Sequence, residues 1–172
     1  DEDSGPSLLK GCDGIFTSGL VPKPSYFAYK MLGQMNGELI HWGKYHAVVR
    51  RSEQNDTLSN GESRFSYCIV CHNYNEDTEN LCKRPSSIEE TMEQIGRFNG
   101  SLDIAIHLNG IFGTHRITIY RLGHKGSLLD LMVKNEISHV AGKEENRILT
   151  WSAVPNVDIS TETLSGSMFL SI

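Results

Sequence analysis

The chain has 172 residues, 38% hydrophobic and 22% charged, with a formal net charge of -5 and a pI of about 5.8. That is the balance of a globular chain long enough for one core, or one core and an appendage, and it excludes a wholly disordered chain. A mildly acidic chain offers no bulk positive surface to phosphate, so no direct nucleic-acid contact is expected. No apolar run approaches the ~20 residues that span a bilayer, so no membrane partner is expected either.

The N-terminus reads Asp1-Glu2-Asp3, without Met and without a basic region followed by an apolar stretch. This reads as a chain cut from a larger protein rather than one opening on a signal peptide, and a cytoplasmic location is expected. The four cysteines, Cys12, Cys68, Cys71 and Cys82, are too few for a disulfide scaffold at this length, and reduced thiols are expected.

In chain order, residues 1–22 are irregular, rich in Gly, Ser, Pro and Asp. Pro24 suits a first helical position, Phe27, Ala28, Met31, Leu32 and Met35 recur at helical spacing, and Asn36-Gly37 supplies a stop. The period then changes to two. Glu38–Trp42 and Tyr45–Arg51 are predicted strands around a Gly43-Lys44 turn, 52–63 is a predicted loop, and Phe65–His72 is a predicted strand. Ser86-Ser87 before Ile88-Glu89-Glu90 predicts a capped short helix. Leu102, Ile104, Ile106 and Leu108 alternate on one face of a strand that Asn109-Gly110 should end. His115–Leu122 is predicted as a further strand. Ser127–Lys134 is a helix with Ser127 as its cap and Asp130 in the fourth place, and Glu144–Ala153 is a helix stopped by Pro155. Val157–Ser160 and Leu164–Ile172 are predicted as two late strands. Short alternating strands of this kind predict an antiparallel β-sandwich.

The sharpest local string, Cys68-Ile69-Val70-Cys71-His72, has the pattern of covalent haem attachment. It lies in a predicted strand, where positions three apart point to opposite faces, whereas attachment wants a turn into a helix. Cys68, Cys71, His72 and Cys82 supply four zinc ligands in count, but Cys82 has no partner at short spacing. No cofactor and no metal are therefore expected, and the cysteines read as small buried hydrophobes. A glycosidase needs two acids roughly 5–10 Å apart across a cleft. Glu89-Glu90 and Glu144-Glu145 are sequence neighbours that diverge on a helix, and no nucleophile elbow, phosphate loop or His-Glu-x-x-His string occurs. His41, His46, His107, His115, His124 and His139 are scattered and read as surface or hydrogen-bonded residues. Trp42, Tyr45 and Tyr74, with Tyr67 and Tyr120, are either sheet packing or a sugar-stacking platform.

Three stretches in order resemble the C-terminal part of glycoside hydrolase family 39. Lys23-Pro24-Ser25-Tyr26-Phe27-Ala28-Tyr29 resembles the Lys-Pro-Ser-Tyr-Tyr-Ala-Phe pattern on that family's last barrel helix. Tyr67 to Tyr74, ending His72-Asn73-Tyr74, resembles a sandwich strand that closes Tyr-Asn-Tyr. Tyr120-Arg121-Leu122 followed by Gly126-Ser127-Leu128-Leu129-Asp130 resembles the family's Arg-Leu…His-Gly-Ser-x-x-Asp-x-Trp segment. The same arrangement is similar to the effector half of AraC-type transcriptional regulators.

The resemblance implies a mainly β chain: residues 1–37 as the remnant of the last βα unit of a (β/α)8 barrel, and 38–172 as an antiparallel β-sandwich with a few short helices. It implies a partner barrel in the same polypeptide, against which Phe27, Met31 and Met35 dock; without the barrel that face should dock on the sandwich or drive homo-association. The family's two catalytic acids match no position here, so no catalytic residue is expected in this chain. Lys10-Gly11-Cys12 stands where the family has His-Gly-Gly, Lys125 stands before Gly126-Ser127, and Met132 replaces the Trp. These departures favour a sugar-sensing regulator as parent. The alternatives are an accessory domain of an active β-xylosidase and a carbohydrate-binding module using Trp42, Tyr45 and Tyr74.

Overall fold

A computed structural model describes residues 14–17, 19–57, 63–74, 88–97, 100–123, 125–137 and 142–171. Cys12, Cys82, His124, His139, Lys10 and the Ser86-Ser87 cap expectation lie outside them. The described chain is mainly β. Its strands form two antiparallel sheets, one of three strands and one of two, accompanied by short helices.

Helix α1 spans Pro24–Leu32, with Pro24 in its first turn and the Gly33 N–H closing on Tyr29 O at 2.8 Å. It is shorter than the periodicity predicts: Met35 lies beyond it, in a stretch of turns. Strand β1 (Glu38–Trp42) pairs with β2 (His46–Thr57), which pairs with β3 (Ser63–Cys71). Gly37 enters β1 at φ +134, and a Cβ there would lie 2.4 Å from Arg50 O, so only glycine fits so close to β2. Of the predicted 52–63 loop, 58–62 lie outside the described residues, but β2 runs on to Thr57: regular pairing holds to Ser52 and, after an irregularity, Thr57 faces Ser63 at the start of β3. Polar side chains do not prevent a strand whose ladder is already set by Val48, Val49, Cys68 and Ile69.

Helix α2 (Ile88–Gly96) carries Glu89 and Glu90 in its first turn, where negative charge suits the helix dipole. Next comes β4 (Ala105–Arg121), then α3 (Leu128–Lys134) and α4 (Lys143–Ser152), then β5 (Asn156–Ser171), which pairs with β4 along its whole length. Two expectations fail here. Asn109-Gly110 does not end a strand, and Ser160 and Leu164 belong to one strand.

The cause is a β-bulge. Asn109 faces Ser167 and Ile111 faces Gly166, leaving Gly110 as an extra residue at φ +75. Before it, even positions point to the covered face, with Ile106 buried and Leu108 half-buried. After it, odd positions do, with Ile111 buried and Ile117 and Ile119 half-buried. The extra residue absorbs the change of phase that alternation alone reads as two strands.

The densest core lies among the helices. Leu128 and Met132 of α3, Leu149 and Ala153 around α4, and Val21 from the N-terminal segment form one buried cluster, with Leu131 and Ile137 against it. Val21 is held by a tight turn in which Thr17 Oγ1 accepts from the Val21 N–H at 3.1 Å. Helix α3 begins as its sequence predicts. Ser127 Oγ accepts from the Asp130 N–H at 3.2 Å, and the Asp130 carboxylate accepts from the Gly126 N–H at 2.7 Å. Val21, from the segment before α1, is thus part of the same core as α3 and α4.

Candidate functional site

Six acidic side chains among the described residues are tied to a cation or a helix end. Glu144 pairs with Arg147 at 2.7 Å, while its neighbour Glu145 accepts from the Gly142 N–H at 2.6 Å. Asp130, which is buried, accepts from Lys134 Nζ at 2.7 Å. Glu38 meets Arg50 at 2.6 Å, Glu93 meets Arg97 at 2.8 Å, and Asp158 pairs with Arg121. The hydrogen bond and charge of Glu38 push the Arg50 pKa up. These are the tasks of caps and surface pairs, and exposed ion pairs of this kind add little to stability.

The Cys-Ile-Val-Cys-His string lies on β3 and just beyond. Cys68 faces Val49 and Cys71 faces His46. Being three apart in a strand, the two thiols point to opposite sides of the sheet and cannot reach one planar group together. Both are free and half-buried, and burial pushes both thiol pKa values up. Among the described residues no group of three or more His, Cys, Asp and Glu is arranged to hold a metal ion.

The histidines, scattered in the sequence, are partly gathered in space at the turn end of the three-stranded sheet. The Gly43 N–H donates to His46 O at 2.8 Å and closes the β1–β2 turn, and the His72 N–H donates to Tyr45 O at 2.9 Å. His41 and His46 rings lie 5.1 Å apart on one face. The His46 ring covers Gly43, where a Cβ would sit 2.6 Å from it.

On the other face, Trp42 is directly opposite Ala47, and Ala47 opposite Val70. Tyr45 and His72, two residues further along their chains, meet edge to face with ring centroids 5.9 Å apart, and Lys44 Nζ lies 5.2 Å from the Tyr45 ring. Trp42 is 70% exposed and Tyr74 50%. Asn73 Nδ2 donates to Gly100 O at 2.7 Å, fixing the chain between His72 and Tyr74. The structure thus brings Trp42 and Tyr45 to one sheet end, with His72 and Lys44 as companions. Sequence reasoning missed those two. Strand parity carried the signal: Val70 and His72 share a face, as do Ala47 and Tyr45.

The helix face Phe27, Met31 and Met35 is half-buried throughout. Phe27 and Pro24 border a shallow depression whose far side is made by Arg121, Gly126, Ala153 and Pro155. Met132 is 1% exposed within the helical core. Its exchange for the larger Trp of the resembling family is therefore a change of core volume, not the loss of a ligand-contacting ring.

No protein-family model and no curated protein matches this chain. Among solved structures it is similar to the crystal structure of the GH39 enzyme from Xanthomonas axonopodis pv. citri, with a TM-score of 0.54 and 12% identity. The likeness covers 97% of this chain and 31% of that chain, so this chain spans under a third of the solved protein's length. At this identity the likeness is one of fold. Among the described residues no helix is long and apolar enough to cross a membrane.

Proposed function

We propose that this chain is a non-catalytic, C-terminal β-rich module of a longer sugar-handling protein related to glycoside hydrolase family 39. One observation carries the reading: the structural likeness runs over nearly the whole of this chain but less than a third of a GH39 enzyme. The employment of Glu38, Glu93, Asp130, Glu144, Glu145 and Asp158 in ion pairs and caps supports the non-catalytic part. The module's task is to position a (β/α)8 barrel of the same polypeptide through Phe27 and Met31 of α1 and Met35 just beyond it.

Of the two kinds of parent, we favour the sugar-sensing effector region of a cytoplasmic AraC-type regulator over an active β-xylosidase. The support is Lys10-Gly11-Cys12, which stands where the resembling family has His-Gly-Gly. The test is the coding region upstream of Asp1 together with an assay on aryl β-xylosides. The expected result is a barrel without its acid pair, preceded by a helix-turn-helix, and no turnover by this chain. Turnover by this chain alone would overturn the non-catalytic reading; an upstream barrel with both acids would overturn the regulator.

A further inference from the structure

We propose that His41 and His46 form a surface site for a divalent ion of the zinc class, held by two imidazole nitrogens on one face of the three-stranded sheet. The inference concerns this chain alone and stands whether the parent hydrolyses or senses sugars.

Three observations carry it. The first is spacing. The two ring centroids lie 5.1 Å apart, with the ring planes tilted by 31°. Zinc holds an imidazole nitrogen at about 2.0–2.1 Å and prefers tetrahedral angles, which sets two imidazoles on one ion with their centroids about 5 Å apart. The observed separation matches that of a shared ion. Each imidazole carries two nitrogens, and the broad torsion about its Cβ–Cγ bond lets either turn toward the common point.

The second is rigidity. His41 pairs with Val48, which is fully buried, and His46 pairs with Cys71. The Gly43 N–H donates to His46 O at 2.8 Å and closes the turn between the two histidines. Gly43 also makes room for the ring: a Cβ there would lie 2.6 Å from His46 Cε1 and 3.0 Å from its Nδ1. Both rings thus project from a ladder that is set before any ion arrives, which lowers the ordering cost of binding.

The third is availability. His41 is exposed and His46 half-buried. Among the described residues neither imidazole is hydrogen-bonded or ion-paired, whereas His115 Nε2 is engaged with Phe112 O at 3.0 Å. The neighbouring cations are occupied: Arg50 on the same face meets Glu38 at 2.6 Å, and Lys44 Nζ lies 5.2 Å from the Tyr45 ring on the other face. Cys71 shares the face, but no three donors are gathered among the described residues. The protein's share is therefore two neutral nitrogens, with water completing the coordination. Such donors suit zinc, nickel and copper(II) rather than magnesium or calcium, which want oxygen.

The experiment is calorimetric titration of the full chain, carrying no histidine tag, with Zn(II), and with Mg(II) as comparator. The expected result is saturable Zn(II) binding that Mg(II) does not reproduce. His41→Ala and His46→Ala should each weaken it at least about tenfold. His107→Ala, at an exposed histidine of the other sheet, should leave it unchanged. Zn(II) should raise the Tm of the wild-type chain but not that of His41→Ala, whose own melt without ion should match the wild type. No heat up to about 1 mM Zn(II) overturns the site. Binding that survives His41→Ala and His46→Ala but disappears in Cys71→Ser, or in the Cys12→Ser, Cys82→Ser double variant, overturns the imidazole assignment. Equal losses from His41→Ala and His107→Ala overturn the location.

Discussion

Leu149→Ala should be among the most damaging single truncations in this chain. Leu149 is 1% exposed and joins α4 to Leu128 and Met132 of α3 and to Val21. The change removes about three carbons at ~0.8 kcal/mol each, and a cavity term follows because the two short helices and a tight turn cannot all collapse inward. The sum is about 3 kcal/mol. For a chain of this size that lowers Tm by about 8 °C. The control is its neighbour Ile148, which is 52% exposed, where truncation should cost under about 0.5 kcal/mol. Urea unfolding followed by far-UV circular dichroism reads both variants on one scale. If Leu149→Ala and Ile148→Ala fall within about 1 kcal/mol of each other, the α3–α4–Val21 cluster is not where the stability resides.

Gly37→Ala should cost about 2–3 kcal/mol, because φ +134 and the approach to Arg50 O both exclude a Cβ, whereas Gly100→Ala should be neutral or slightly stabilising; paired melts decide. Deleting Gly110 removes the extra residue and leaves Ile106, Leu108, Ile111, Ile117 and Ile119 in unbroken alternation on one face, so the pairing with β5 should persist at a cost of about 1 kcal/mol or less in urea titrations, and a loss of about 3 kcal/mol would refute the one-residue bulge. Ser127→Ala should cost about 1 kcal/mol through the lost cap, and a wild-type melt for this variant would refute the capping role. The thiols of Cys68 and Cys71 have folded pKa values above their unfolded ones, so their contribution to stability is complete below the ordinary thiol range. It is lost as pH rises through the folded values; alkylation at pH about 8 should be slower in the folded chain than in urea.

The cap of α3 was legible because it is local. Ser127 Oγ accepts from the Asp130 N–H and the Asp130 carboxylate accepts from the Gly126 N–H, all within five consecutive residues. The strand cores were legible for the same reason: Val48 and Val49, like Ile106 and Leu108, announce themselves by type and alternation. What failed was the joining of segments. Asn109-Gly110 carries the residues of a turn, and the phase of the apolar positions does change there, but a bulge satisfies both signals as well as a turn does. Only the length of the facing strand, unbroken through 160–164, decides between them. Likewise the aromatic site was legible in residue type but not in membership. Trp42 and Tyr45 were identifiable from sequence. His72 joins them because β3 carries Val70 opposite Ala47, a long-range register that no local pattern encodes.

The buried cluster and the exposed aromatic turn end of the three-stranded sheet lie in different parts of this fold. The buried cluster is built from three segments distant in sequence, at the helical insertion that connects β4 to β5, and it holds the N-terminal segment through Val21. The sheets contribute less: Val48 and Val49 in one, Ile106 and Ile111 in the other. The turn end of the three-stranded sheet is supported mainly by backbone pairing, and backbone hydrogen bonds do not depend on which side chain Trp42 carries. Trp42, 70% exposed and outside the helical core, can therefore be truncated without the penalty that attends Leu149. Trp42→Ala should therefore melt like the parent chain, whereas truncation of Leu149 or Met132, each 1% exposed, should not; equal losses at Trp42 and Leu149 in paired melts would refute this division.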